Sequence, residues 1–372
     1  MILNWGELIT LEYGKPVKDK ESTDGKVPVY GTNGQIGTSH LPAQCKHPSF
    51  ILGRKGAYRG VHYSDCPFSV IDTAFYAEPL TDRIDLKWAY YKFLTYDING
   101  MDSGSAIPST DRYQIYSIEV EVPPLEKQRK IVAVLDCIDR KININQKIND
   151  NLQQQAVTLF KSWFVDFSLF GGTVPENWED TTLENITTLI TRGIAPKYSN
   201  DSDQTVINQK CIRNHTIDLS LARSHTPKAI NEKWLQFGDL LINSTGDGTL
   251  GRVAQVWFAP KALTVDSHVT IVRPAREELI FYIGLWGILH EKEIESLHTG
   301  STGQTELPRD RVKMLKLLLP DNISLSRFNS IIAPMTSTII SNQEENQKLA
   351  NLRDTLLPKL MSCEIGVANI QL

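Results

Sequence analysis

Two seams of apolar residues, far apart in the chain and matched step for step, constrain this sequence more than any other feature. Neither Gly nor Pro occurs at positions 125–170. Within that stretch apolar residues recur at Leu135, Ile138, Ile142, Leu152, Ala156, Leu159 and Trp163, while Asn145 and Asn149 fill the remaining steps. Spacings of three and four in alternation mark a helix that buries one stripe against another helix. A second seam runs through Ile332, Met335, Ile339, Asn342, Asn346, Leu349, Arg353, Leu356 and Leu360. One offset relates the two, since 342 − 145 and 346 − 149 both equal 197. The same step carries Leu135 to Ile332 and Trp163 to Leu360. Two such helices are expected to pair with each other, their buried Asn residues fixing register at some cost in stability.

The order of segments sets the direction of that pairing. The first helix ends just before a second globular segment, and the second helix begins where that segment stops. The helices are therefore expected to run antiparallel with one globule at each end, related by an approximate two-fold axis. The expected division is a first globule at 1–122, a long helix at 123–168, a second globule at 169–320, a long helix at 321–363 and a tail at 364–372. The fold class is α+β, with two similar mixed globules on an intramolecular antiparallel coiled coil.

The globules read as one unit written twice, at a period of roughly 195 residues, far longer than a solenoid repeat. In the first, a strand and a Gly- and Asn-rich loop occupy 27–37, strands follow at 50–52, 61–63 and 70–76, a helix at 86–94 and a strand at 115–122. The second repeats the order, with strands at 240–242 and 264–270, a helix at 278–288 and a strand at 312–319. Asp72 is matched to Asp266, and Ile107-Pro108 to Leu307-Pro308. Both Asp residues read as structural hydrogen-bond acceptors.

Composition narrows the class. The chain has 372 residues, 41% of them apolar, and a formal net charge of −4. That balance argues against a chain that binds nucleic acid unaided. No apolar run reaches the roughly 18–20 residues of a membrane span, and the first residues do not read as a signal peptide. Cys45, Cys66, Cys137, Cys211 and Cys363 are scattered without a C-x-x-C pair. Neither a disulfide framework nor a metal site is indicated, and a reducing cytoplasm is expected.

No catalytic set is recognisable: phosphate loop, H-E-x-x-H and G-x-S-x-G are all missing. What remains is recognition chemistry on loops. Arg54, Lys55, Tyr58 and Arg59 place three cations and an aromatic on one Gly-bounded loop. Arg can bond a guanine edge through two N–H groups, and Lys can hold phosphate. The matching loop carries Thr245, Asp247, Thr249 and Arg252. Different side chains on equivalent loops read as two readers of different sequences. Ser105, Ser109, Thr110, Arg112 and Tyr113 form a second candidate group, with Ser301, Thr302 and Gln304 opposite.

At this point the chain resembles the DNA-specificity subunits of Type I restriction-modification systems. The resemblance covers almost the whole chain. It rests on Pro123-Pro124-Leu125-Glu126-Lys127-Gln128 opening the first long helix and on Leu159 to Phe167, with Ser162-Trp163-Phe164, closing it. Pro175 and Trp178 open the second globule, and Val29-Tyr30-Gly31 and Gly53-Arg54-Lys55-Gly56 lie in the first. Pro320-Asp321-Asn322, Pro334 and Pro358 depart from the pattern at the second helix.

The resemblance implies a non-catalytic reader of double-stranded DNA. Each globule would be a target-recognition domain for one half of a bipartite, asymmetric site. The helices would be the spacer, docking two modification subunits that bind S-adenosylmethionine and methylate adenine. Motor-nuclease restriction subunits using ATP and Mg would complete the complex; a methylation-only system is the alternative. The chain itself would bind no cofactor. A stand-alone nuclease and a coiled-coil adaptor that never meets DNA are rival classes. If modification subunits dock on the helices, their outer faces, with Leu125, Ile131, Phe160, Phe164 and Phe167 beside or beyond the seam, are expected to be incompletely covered in the isolated chain. A heptad inserted after Asn149 and another after Asn346 are expected to lengthen the spacer in register.

Overall fold

The computed structural model describes residues 1–101, 108–300 and 305–367. The chain divides into two compact units, one of Met1–Asn143 with Asn346–Leu372, the other of Ile144–Glu345. Each contains a globule and a part of both long helices. Those helices span Leu125–Phe164 and Asn322–Met361, 40 residues each. Pro334 and Pro358 do not interrupt the second. Both lie on its exposed side, where a missing N–H leaves a carbonyl that water can satisfy.

In the first unit, Trp5, Phe50, Trp88 and Phe93 form the core of the globule. Ile131 and Leu135 from the start of the first helix join it, as do Leu357, Leu360 and Met361 from the end of the second. In the second unit, Trp178, Tyr282 and Trp286 pack with Ala156, Phe160, Trp163 and Phe164 from the end of the first helix and Leu325, Phe328 and Ile332 from the start of the second. Start meets end in each unit, so the pairing is antiparallel.

The seam is where the spacing puts it. Leu135, Ile138, Asn145, Ala156 and Trp163 are buried, and so are Ile332, Ile339 and Leu360. In the second unit the Asn342 Nδ2 donates to Asn149 Oδ1 at 2.8 Å, and Asn145 Nδ2 to Glu345 Oε2 at 2.7 Å. In the first, Arg353 occupies its seam position as a cation paired with Asp139 at 3.0 Å, whose other oxygen accepts the Tyr91 hydroxyl at 2.7 Å. The apolar residues beside the seam do not stay uncovered as expected: Ile131, Phe160 and Phe164 are within the globule cores, and Leu125 and Phe167 are half-buried. The flank left open on the first helix is instead Ile144 and Ile148, 53% and 40% exposed.

Both globules share one sheet order. In the first, a four-stranded sheet runs Ile9–Tyr13, Ala74–Pro79, Ser49–Gly53, Val61–Ser64; in the second, Thr187–Arg192, Val269–Pro274, Leu240–Asn243, Val253–Gln255. A three-stranded sheet follows suit, with Val27–Gly31 between Gly34–Ser39 and Ser69–Val70, and Thr205–Ile207 between Arg223–Ser224 and Leu263–Val265. A small pair closes each: Ile2–Asn4 with Glu119–Glu121, and Glu179–Thr182 with Lys316–Leu319.

The structure corrects the sequence reading in four places. The strands expected at 70–76 and 264–270 are each broken, because the chain leaves the three-stranded sheet and enters the four-stranded one. The Leu52↔Phe75 and Ile242↔Thr270 pairs put Asp72 level with Ser267, so Asp266 answers to Ile71. The expected strands at 115–122 and 312–319 begin as helical turns, Arg112–Tyr116 and Arg309–Lys313. Thr110 and Leu307 donate their N–H groups to Arg54 and Ser244 carbonyls, so Leu307-Pro308 answers to Thr110-Asp111, three residues from the match first drawn.

Motif residues at the helix starts work as joints. Gln128 is fully buried; its Nε2 donates to the Arg83 and Pro123 carbonyls, and its Oε1 accepts from the Asp85 N–H. Asp321 caps the second helix, accepting from the N–H groups of Ile323 and Ser324, the Ser324 hydroxyl and the Trp178 indole. Burial alone would raise this carboxyl, but the bonds from Ser324, Trp178 and Ile323 outweigh it and hold the pKa at about 2. A depressed carboxylate stabilises the fold above its unfolded pKa near 4 and ceases to do so as pH falls through about 2. Asp321→Ala is expected to cost about 1 kcal/mol at pH 7. Urea unfolding should show the gap between wild type and variant narrowing as pH falls from about 4 toward 2.

Candidate nucleic-acid interface

The loops singled out from sequence lie at one position in both globules, at the end of a central strand. Loop 53–60 follows Ser49–Gly53 and loop 243–252 follows Leu240–Asn243. Each strand-following turn needs a left-handed residue at the same step, Gly56 with φ +123° and Gly246 with φ +101°. A second segment props each loop. Thr32 Oγ1 lies 2.9 and 2.7 Å from the Lys55 and Thr73 carbonyls. In the second unit Gln209 takes that place, its carbonyl accepting from Asn243 Nδ2 at 3.1 Å and its Oε1 from the Thr245 hydroxyl at 3.3 Å.

On the first loop Arg54 is held and aimed. Its Nη1 donates to the Asp72 carbonyl at 2.9 Å, and its guanidinium lies 4.7 Å from the centroid of Tyr13. Arg112, at the start of its helical turn, sits 4.8 Å from the same ring and 5.1 Å from Tyr113. Its Nη1 donates to the Leu11 carbonyl and its Nη2 to the Tyr113 hydroxyl. Two guanidiniums over one half-exposed ring lose much of their rotamer freedom before any ligand arrives. Lys55 and Tyr58 are exposed beside them. Asp72 serves through its backbone carbonyl.

Arg59 does not belong to this surface. It is 2% exposed. Its Nη2 donates to the Ile98, Asn99 and Met101 carbonyls at 3.2, 2.8 and 3.5 Å, and its backbone N–H to Asn99 Oδ1. It is a brace for the 98–101 turn.

The second loop presents other chemistry at matched positions. Ser244 and Thr245 stand where the first unit has Arg54 and Lys55. Ser244 is buried and bonded to Thr270 at 2.6 Å. The Thr245 hydroxyl meets His268 Nδ1 at 2.7 Å. Thr249 turns its hydroxyl back to the Thr245 and Gly246 carbonyls. Arg252 lies at the base of the loop, level with Gly60; burial would raise the nearby Glu291 carboxyl, but the bonds from His215 and the Val253 N–H, with the His215 and Arg252 charges adding to them, hold it low. Asp247 is the exposed group at the tip, between Gly246 and Gly248, both at positive φ. Arg192 replaces Tyr13, its Nη1 paired with Glu306 at 2.6 Å and its Nη2 donating to the Leu307 carbonyl. Arg309 answers to Arg112. Ser105, Ser301 and Gln304 lie outside the described residues, as does Thr302.

Residues 4–154 match the model of the Type I restriction modification DNA specificity domain. The MjaIX specificity subunit of a Type I restriction enzyme from Methanocaldococcus jannaschii is 25% identical over 319 residues, covering 78% of this chain and 71% of that one. The HindI specificity subunit from Haemophilus influenzae is 22% identical over 354 residues, covering 74% of each. The crystal structure of a Type I system S subunit from M. genitalium superposes with a TM-score of 0.58 at 17% identity, covering 97% of this chain and 95% of that one. Over most of its length the chain is similar to Type I restriction-modification specificity subunits, and it shares their fold.

What the sequence left unseen lies beside the loops. Tyr13, Arg192 and Arg309 passed unnoticed because each lies far along the chain from the loop it borders. Arg309 could have been found from a repeat alignment anchored on the helical turns. Among the described residues no helix is long and apolar enough to cross a membrane.

The two loop arginines should separate cleanly. Arg59→Ala is expected to lower unfolding stability by about 2–3 kcal/mol, because buried carbonyls lose a charged donor. Arg54→Ala should change it by less than about 1 kcal/mol, the scale of an exposed cation–π contact. Paired denaturation curves would show the contrast; equal losses would mean that Arg54 is also structural.

Proposed function

We propose that this chain acts as a specificity subunit: it reads double-stranded DNA, one half of a bipartite asymmetric site with each globule, and catalyses nothing itself. The observation that carries this is the pairing of one fold with two chemistries. Sheet order, loop position and the left-handed glycine are the same in both units, while Arg54, Lys55 and Tyr13 in one correspond to Ser244, Thr245 and Arg192 in the other. A scaffold repeated with its tips changed fits two readers of unlike sequences.

In the first unit a pre-ordered Arg54 suits the N7 and O6 acceptors of guanine, and Lys55 suits phosphate. In the second, the Asp247 carboxylate suits a base amino group, and Arg309 takes the positioning role of Arg112. The helix pair sets the spacing of the half-sites and carries two modification subunits. Under this reading S-adenosylmethionine belongs to those subunits, and ATP and Mg to restriction subunits. The net charge of −4 is tolerable because partners share the DNA contact.

Methylated-adenine mapping of the reconstituted complex tests the division of labour. Replacing Arg54 and Lys55 together should weaken or relax one half-site, at about 1–3 kcal/mol for a lost bidentate base contact. Tyr13→Ala should act on the same half more weakly, with Tyr13→Phe close to wild type. Asp247→Ala should act on the other half. If any of these altered both halves equally, the loops would be general backbone contacts.

The helices supply a second test, and the antiparallel pairing revises its design. Asn342 bonds Asn149, and Asn346 Nδ2 reaches the Ile142 carbonyl at 3.4 Å. A heptad after Asn346 therefore does not face one after Asn149; the matching insertion goes immediately before Asn342. Seven residues add about 10.5 Å, or about three base pairs at roughly 3.4 Å each. The double insertion should leave both half-site sequences unchanged and widen the gap between them. An active complex with the old gap would show that the helices are not the spacer.

A further inference from the structure

Away from the loop, at the other end of the same two central strands, three side chains of the first unit converge. Cys45 is buried and bridged to Phe68 by two backbone hydrogen bonds. His47 follows two residues later, and Glu78 lies near the end of Ala74–Pro79. Their Sγ, ring nitrogen and carboxylate oxygen all lie within 4.8 Å of one another. His47 Nε2 is 2.7 Å from Glu78 Oε2 and 3.9 Å from Cys45 Sγ.

The imidazole is hemmed in by acceptors. Its Nδ1 lies 3.0 Å from the Pro48 carbonyl, which can only accept, so Nδ1 carries a hydrogen. Nε2 then faces a carboxylate, another acceptor. The geometry demands a positive centre at Nε2, either a proton or a metal ion. An Nδ1–H donated to a backbone carbonyl is also the arrangement that orients a metal-bound His through Nε2. Cys45 adds a third donor of metal-ligand type on the buried side, its thiol now donating to the His47 carbonyl at 3.2 Å with Sγ 3.9–4.0 Å from both ring nitrogens.

We propose that Cys45, His47 and Glu78 form a binding site for a borderline-soft divalent cation of the zinc class, with water as fourth ligand. Thiolate, imidazole and carboxylate are the donors such ions take, and two anionic ligands neutralise the charge. Binding breaks the Cys45 S–H bond and displaces any Nε2 proton; the protons leave to solvent and three donor bonds form to the ion. Tetrahedral zinc separates its donors by about 3.3–3.6 Å. The 2.7 Å contact must open and the 3.9 Å contact close by roughly half an ångström each. The exposed edge formed by His47 and Glu78 leaves the fourth position to solvent. The ion would clamp the segment before Ser49–Gly53 to the end of the neighbouring strand.

Cobalt(II) added alone to the purified full chain is the probe. A near-ultraviolet thiolate-to-cobalt charge-transfer band should grow to saturation at one equivalent, and zinc should then bleach it. Cys45→Ser should abolish the band. Glu78→Gln, which keeps the shape and hydrogen-bonding capacity of the side chain, should weaken cobalt binding at least about tenfold, with circular dichroism confirming the fold. Cys66→Ser, an exposed thiol elsewhere, should change nothing. No band, a band that survives Cys45→Ser, or unchanged affinity in Glu78→Gln would overturn the proposal. None of these outcomes bears on the reading loop at the opposite strand end.

Discussion

Everything here depends on burying two apolar stripes that neither long helix can bury alone. A 40-residue helix with a 3-4 seam is not stable by itself in water, because most helical stability comes from packing. The chain solves this by bringing back its own second helix and sealing the ends into the two globule cores. Trp163 and Phe164 meet Phe328 at 5.5 and 4.8 Å in one unit. Leu135 joins Leu357 and Leu360 in the other. The middle of the seam is polar. The Asn149 and Asn342 amides, both half-buried, bond only when these residues face one another.

The helices were legible in the sequence because their period is dense and their termini are punctuated. Both were placed to within a few residues, and Asp321 explains how a helix without the Pro-Pro-Leu-Glu start still begins cleanly. The sheets were legible in order but not in register. A strand that crosses from one sheet to another looks continuous in sequence, as 70–76 does. Matching acidic residues or Pro across the repeat then slips by one or three positions, as with Asp72 and Asp266.

The recognition surface was half legible. A Gly-bounded loop rich in cations is visible as a loop, but which cation faces inward is a matter of what surrounds it. Arg54 and Arg59 are five residues apart and look alike on paper; one lies over Tyr13 and the other threads three carbonyls of a turn forty residues on. In the second unit the same limit hid the fact that Thr249 turns back to the loop's own carbonyls and that Arg252 lies at its base near Glu291, leaving Asp247 at the tip.

The unit that contains residue 1 also contains residues from Asn346 onward, whereas its companion is a single continuous segment, Ile144–Glu345. On the ribosome the two cannot mature in the order in which they are made. At roughly 5–20 residues per second, the amino-terminal core waits about 10–40 s for Leu357, Leu360 and Met361. Through that interval its Ile131 and Leu135 lack their partners, and the later-made unit has the first chance to close. A nascent chain stalled within its last helix, just past Glu345, would thus hold a finished second unit and an open first one, the form in which such a protein is most exposed to chaperones and proteases.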